Sequence, residues 1–91
     1  MNTEPLIPLA RAVASEIERL EAELGVELGI VRLDLAARAV VVHGDGLKSW
    51  GPRTMLESRL TRCGLRHETH APDMYLMIYP SAGQGADVMR P

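Results

Sequence analysis

The chain has 91 residues, of which 46% are hydrophobic and 24% charged, and its formal net charge is −2. This length allows one domain with a modest core, and the composition excludes a disordered, collagen-like or disulfide-rich chain. No apolar run approaches the ~20 residues that cross a bilayer, so we expect no membrane helix.

Apolar residues at steps of three and four predict a first helix over residues 6–24. The stripe consists of Leu6, Leu9, Val13, Ile17, Leu20 and Leu24. Gly25 follows the last of them, at the position where a helix commonly ends in a left-handed residue.

Two short strands are predicted next. Over 28–35, Val31, Leu33 and Leu35 alternate with other residues, which indicates a strand with one buried face. The β-branched run 39–43 indicates a second strand, and the short break between them predicts an antiparallel hairpin. The stretch 43–46 contains two glycines but lacks the lysine of a phosphate loop, so we interpret it as a turn.

A second helix is predicted to begin at Gly51-Pro52, or with Ser49 as its N-cap, and to end at Gly64. Its apolar stripe would consist of Met55, Leu56, Leu60 and Cys63. The charged stretch 65–70 is predicted as a third strand, 71–73 as a turn, and the apolar stretch 74–79 as a fourth strand. The last residues, 80–91, carry no pattern and are predicted to form a flexible tail behind a single domain, 1–79.

The predicted order αββαββ indicates an α+β fold, a two-layer sandwich with both helices on one face of a four-stranded sheet. The charged third strand suits a sheet edge, and the apolar fourth strand suits a central position. This predicts the strand order third, fourth, second, first. The arrangement is a permuted ferredoxin-like sheet, in which the last strand fills the place of a missing first one.

Three stretches, 25–35, 40–47 and 63–65, resemble heavy-metal-associated, metallochaperone-like domains in their succession of strand, turn and helix residues. The resemblance covers roughly half of the chain and implies the ferredoxin-like fold. The paired cysteines that this family carries before its first helix are absent, because residues 4–8 read Glu-Pro-Leu-Ile-Pro. The resemblance therefore implies the fold and not the metal-transfer activity.

Cys63, His67 and His70 offer ligand types that zinc accepts. On a strand, however, His67 and His70 would point to opposite faces, and Cys63 on the stripe of the second helix is predicted to be a small buried side chain. We therefore expect no metal and no other cofactor. A two-layer domain of this size also offers little concave volume for a substrate, and no nucleophile motif is present, so we expect no enzyme.

Segregated charge leaves a nucleic-acid interface as an alternative. Residues 1–27 hold six glutamates and two arginines, whereas residues 48–66 hold five basic residues and one glutamate. The candidate residues are Arg53, Arg59, Arg62, Arg66 and Trp50. The negative net charge argues against this interpretation, because nucleic-acid binders are usually basic.

The last predicted strand supplies the leading candidate site. If Leu76 and Ile78 face the helices, the other sheet face carries an apolar and aromatic patch of the kind found at interfaces. The candidate partner-binding residues are Tyr75, Met77, Tyr79, Val41 and Ile30. Two alternatives stay open: the tail covers the patch, or a reversed register places the tyrosines in the core.

These patterns together predict a small non-catalytic interaction module. It would bind a protein partner, or itself as a homodimer, as an adaptor, regulator or inhibitor of a larger assembly. The single cysteine and the lack of a secretory signal over 1–8 favour the cytoplasm. Nine arginines against one lysine favour a GC-rich, bacterial or phage genome.

Overall fold

The computed structural model describes residues 6–80. Its elements are α1 (Leu6–Leu24), β1 (Ile30–Asp34), β2 (Ala39–His43), a 3-10 turn (Asp45–Lys48), α2 (Trp50–Arg62), β3 (Arg66–His70) and β4 (Tyr75–Tyr79). The predicted order αββαββ is confirmed, with the 3-10 turn added after β2. The predicted tail, 80–91, lies outside the described residues except for Pro80.

The four strands form one antiparallel sheet in the order β1-β2-β4-β3. The apolar strand β4 lies between β2 and the charged edge strand β3, as the distribution of charge predicted. Helix α1 packs on β1 and β2, helix α2 packs on β3, and the two helices contact each other. The chain therefore has the predicted α+β fold with helices against one face of the sheet.

A single core lies between the helices and the sheet. Five residues of the predicted α1 stripe are buried, from Leu6 to Leu20, and Leu24 packs against their edge. The sheet contributes its alternate residues, which are Val40 and Val42 from β2 and Leu76 and Ile78 from β4.

The apolar stripe predicted for the second helix is wrong at two positions. Leu56 and Leu60 are fully buried, but Met55 is 41% exposed and Cys63 is exposed. Because α2 ends at Arg62, Cys63 is the C-cap residue and lies beyond the packed turns. Met55 lies about 100° around the helix from Leu56 and so points away from the buried side.

Both helices end at the glycines that the sequence indicated. Gly25 has φ 69° and Gly64 has φ 77°, values that favour glycine. At the end of α2 the Gly64 amide donates to the Thr61 carbonyl at 2.9 Å, and the Leu65 amide donates to the Leu60 carbonyl at 2.9 Å. This is the Schellman arrangement, and it turns Leu65 back against the core.

Of the two predicted starts for α2, the structure has the one with Ser49 as N-cap, although the Ser49 side chain makes no capping hydrogen bond. The Arg53 guanidinium instead donates to the Leu47 carbonyl at 2.9 Å. This bond joins the first turn of α2 to the 3-10 turn before it. Met74, predicted in the last strand, belongs to the preceding turn with φ 59°.

The glycine-rich stretch after β2 is more than a turn, because it packs backbone to backbone against the segment that precedes β1. A Cβ atom on Gly44 would lie 2.6 Å from the Leu28 carbonyl oxygen, and one on Gly46 would lie 2.7 Å from the Leu28 Cα. A Cβ atom on Gly29 would lie 2.5 Å from the His43 carbonyl oxygen. No larger residue fits at this crossing without moving the backbone.

Within residues 6–80, neither helix combines the length and the apolar character that a membrane crossing requires.

Candidate functional site: the open sheet face

Three rows of side chains cover the sheet face that points away from both helices, which we call the open face. Directly paired residues of antiparallel strands share one face, so the strand register defines the rows. The first row is Ile30, His43, Tyr75 and His70; the second is Arg32, Val41, Met77 and Glu68; the third is Asp34, Ala39, Tyr79 and Arg66.

The five residues predicted to bind a partner all lie on this open face. Tyr75, Met77 and Tyr79 come from β4, Val41 from β2 and Ile30 from β1. The alternative with a reversed register is wrong, because Leu76 and Ile78, the intervening residues of β4, are fully buried in the core. The other alternative, in which residues 80–91 cover the patch, lies outside the described residues except for Pro80.

The open face has a ridge along β4 and a groove along β2. The ridge consists of the partly exposed Tyr75 and Tyr79 with the largely buried Met77 between them, whereas β2 offers the smaller Val41 and the fully buried Ala39 beside it. An open concavity of about 680 Å³ lies at the Tyr75 end of the face, lined by residues of β1, β2 and β4 and by the turns that contain Asp45 and Asp73. Val41 and His43 are the residues of β2 that line it.

Side chains of β3 hold both tyrosine rings of the ridge. The His70 ring stacks on Tyr75 with centroids 5.0 Å apart and 7° between the planes. The Arg66 guanidinium lies 4.9 Å from the centroid of Tyr79, at cation–π distance. These contacts fix the orientation of two large side chains that are otherwise half-exposed.

Glu68 links the middle of the face to these rings. The Tyr79 hydroxyl lies 3.2 Å from Glu68 Oε1 and donates to it, and His70 Nε2 lies 3.3 Å from the same oxygen. The Tyr79 hydroxyl also lies 3.7 Å from Met77 Sδ. The pKa of the Tyr79 hydroxyl is raised above its usual 10.0, mainly by burial and also by the nearby Glu68 carboxylate. The hydroxyl therefore keeps its proton at neutral pH and donates it in the hydrogen bond to Glu68.

The opposite edge of the face is formed by β1. Arg32 Nη1 lies 3.2 Å from His43 Nε2, at hydrogen-bond distance. Ile30 is 58% exposed beside this pair, whereas Met77 in the middle of the face is 9% exposed. The open face therefore has an apolar, aromatic centre between two charged edges.

The residues considered for nucleic acid are distributed among separate contacts. Arg59 Nη2 lies 2.6 Å and 2.5 Å from the two carboxylate oxygens of Glu23 in α1, and Arg53 is bound to backbone carbonyls. Arg66 lies on the open face, against Tyr79. Arg62 and Trp50 are exposed on α2. Some of the acidic residues of α1 and basic residues of α2 therefore pair with each other, as Glu23 and Arg59 do, and join the two helices.

The residues considered for a metal lie apart. His67 pairs with the core residue Ile78, whereas His70 pairs with Tyr75 on the open face, so the two imidazoles are on opposite faces as strand alternation predicted. Cys63 is at the end of α2. Within residues 6–80, no three histidine, cysteine or carboxylate side chains converge on one point.

Sequence reasoning missed the charged members of the open face as a set. Arg32 and Asp34 on β1, and Glu68 and Arg66 on β3, complete the rows that the apolar candidates begin. The alternation of side chains along each strand, which identified Tyr75 and Tyr79, could also have identified these charged residues. It would have had to be combined with the register of each strand pair, which the sequence does not give.

Comparison with protein-family models, with curated proteins and with solved structures yields no match to this chain.

Proposed function

We propose that this chain is a small, non-catalytic interaction module of the cytoplasm that binds a protein partner through the open face. It would act as an adaptor, regulator or inhibitor of a larger assembly. One observation carries the proposal: an aromatic and apolar patch lies on a sheet face against which neither α1 nor α2 packs.

The chemistry of the patch favours a protein as the partner. Tyrosine and methionine are enriched at protein interfaces, where a tyrosine ring contributes a large contact area with few rotatable bonds. The stacking of His70 on Tyr75, and the contact of Arg66 with Tyr79, hold the rings before binding. Such preorganisation lowers the entropy cost of association.

The charges around the patch argue in the same direction. Arg32 and Asp34 at one edge, and Glu68 and Arg66 at the other, present both signs. A mixed rim suits a protein surface, whereas the uniformly anionic backbone of a nucleic acid calls for basic residues alone.

The proposal is tested by photo-crosslinking in cells that naturally produce the protein. A benzophenone amino acid replaces Tyr75 in one variant and Glu18, an exposed residue of α1, in the control. We expect covalent adducts from position 75 and none from position 18. No adduct from position 75, or the same adducts from both positions, would contradict the proposal.

A second measurement uses the partner identified by mass spectrometry of the adduct. Binding to the purified chain is measured by calorimetry for the wild type, for Tyr75→Ala combined with Tyr79→Ala, and for Glu18→Ala. We expect the double variant alone to lose affinity, and circular dichroism shows whether it is still folded. Unchanged affinity of a folded double variant would argue against the open face.

A further inference from the structure

We infer that the partner which fits the open face is a second copy of this chain. The two sheets pack face to face about a two-fold axis that runs parallel to the strands, between β2 and β4. This inference rests on the proposed function, because it requires the open face to be the binding surface.

The first argument is the sign of the charges at the two edges. In the second row Arg32 lies on β1 and Glu68 lies on β3; in the third row Asp34 lies on β1 and Arg66 lies on β3. The proposed axis brings β1 of one copy over β3 of the other and keeps each row over the same row. Arg32 therefore faces Glu68 of the second copy, and Asp34 faces Arg66, and both pairs occur twice.

The other two-fold arrangement of the same faces lacks this complementarity. An axis perpendicular to the strands keeps each strand over itself. In the second row Arg32 would then face Arg32 of the second copy, and Glu68 would face Glu68. Like charges in direct opposition disfavour association, so the charge pattern selects the axis parallel to the strands.

The second argument is shape. The parallel axis places β4 of one copy over β2 of the other, so that the partly exposed Tyr79 faces the small, buried Ala39 and Tyr75 faces His43 of the second copy. Large side chains opposite small ones interdigitate at the ~10 Å spacing of packed sheets. Since His43 lines the concavity of about 680 Å³, this is where Tyr75 of the second copy would insert.

The small size of the face determines how tight such a dimer is. Four strands of five residues have a flat outline of roughly 300 Å² at the usual strand spacing, which is smaller than the accessible surface that the side chains on it would bury. Stable interfaces bury about 800 Å² on each partner. We therefore expect a reversible dimer that forms in the micromolar range or above.

A charge-reversal experiment tests this geometry. Arg32→Glu and Glu68→Arg each put like charges into contact twice, so each variant alone should self-associate about tenfold more weakly, or worse. In an equimolar mixture of the two variants, each reversed charge meets its opposite in the other protein. The mixture should therefore form heterodimers with an affinity near that of the wild type.

Sedimentation equilibrium from about 10 µM to 1 mM, with a reductant to keep the exposed Cys63 as a thiol, measures the association. The matched controls are Arg62→Glu and Glu18→Arg, which reverse exposed charges on the helices and should leave the dimer unchanged. Circular dichroism checks that every variant is folded.

A wild-type protein that stays monomeric over this range would overturn the inference. The two-fold geometry would be overturned if neither charge reversal weakened self-association. It would also be overturned if the equimolar mixture of the two variants associated no more tightly than each variant alone. The crosslinking experiment separates these failures from failure of the proposed function. An adduct of about twice the 10.0 kDa chain mass supports the second copy, whereas an adduct with a different protein leaves the proposed function intact without the dimer.

Discussion

Arg59 of α2 binds Glu23 of α1 across 36 positions of sequence, with Nη2 2.6 Å and 2.5 Å from the two carboxylate oxygens. Nη1 of the same guanidinium lies 3.7 Å from Glu16, so one arginine holds two carboxylates of the other helix. The Arg59 side chain is 20% exposed, whereas that of Glu23 is 53% exposed. Solvent therefore weakens this contact, but it still fixes how α2 lies against α1.

Replacing Arg59 with Gln should lower the free energy of unfolding by about 1 kcal/mol at low salt, because the two glutamates lose their shared cation. The loss should shrink at about 0.5 M salt, where the pair is screened. Urea denaturation at both salt concentrations measures it. Arg62→Gln, at an exposed position, is the control and should have little effect; equal effects of the two substitutions would contradict the assigned role of Arg59.

Replacing Gly46 with Ala should destabilise the fold by about 2 kcal/mol or more. The added Cβ would meet the backbone of Glu27 and Leu28, and a backbone cannot move aside as the end of a flexible side chain can. Gly51→Ala is the matched control, since nothing lies within 4 Å of a Cβ at that position. Thermal unfolding of both variants compares them, and similar melting temperatures would argue against the close crossing.

Tyr79 should titrate above pH 10.0, because burial and the neighbouring Glu68 carboxylate disfavour the phenolate. Absorbance titration in a Tyr75→Phe background isolates its signal, and Glu68→Gln should then lower the pKa of Tyr79. Since the folded state binds this proton more tightly than the unfolded state, the associated stability is fully present below pH 10.0. It is lost as the pH rises through the raised pKa. A pKa of Tyr79 that does not respond to Glu68→Gln would contradict the hydrogen bond between them.

Cys63 should react quickly with a thiol reagent such as dithionitrobenzoate without any denaturant, because it is exposed at the end of α2. Leu60→Cys combined with Cys63→Ser provides the contrast, since Leu60 is fully buried. Its thiol should react only as the protein opens. Slow labelling of Cys63 in the folded protein would support the original expectation of a buried cysteine.

Patterns between near neighbours in sequence predicted most of the fold. The bounds of α1 follow from periodicity and those of β2 from its run of β-branched residues, and the two helix-ending glycines follow from their place after the last apolar residue. The strand order follows from charge, since β3 is too polar for the centre of the sheet and β4 too apolar for its edge. These features depend on residues a few positions apart, and so they can be read along the chain.

What the sequence determined by itself was therefore the two helices, the four strands and the order of the strands in the sheet, whereas the side of β4 that carries the tyrosines stayed open until Leu76 and Ile78 were found in the core. Only the tertiary structure decided that Cys63 is exposed, that Arg59 binds Glu23, that Gly46 lies against the chain before β1, and that charged side chains of β1 and β3 complete the rows of the open face. Each of these depends on segments that are distant in sequence. Their contact is set by strand register and by how the helices pack, and a local pattern of residues contains neither.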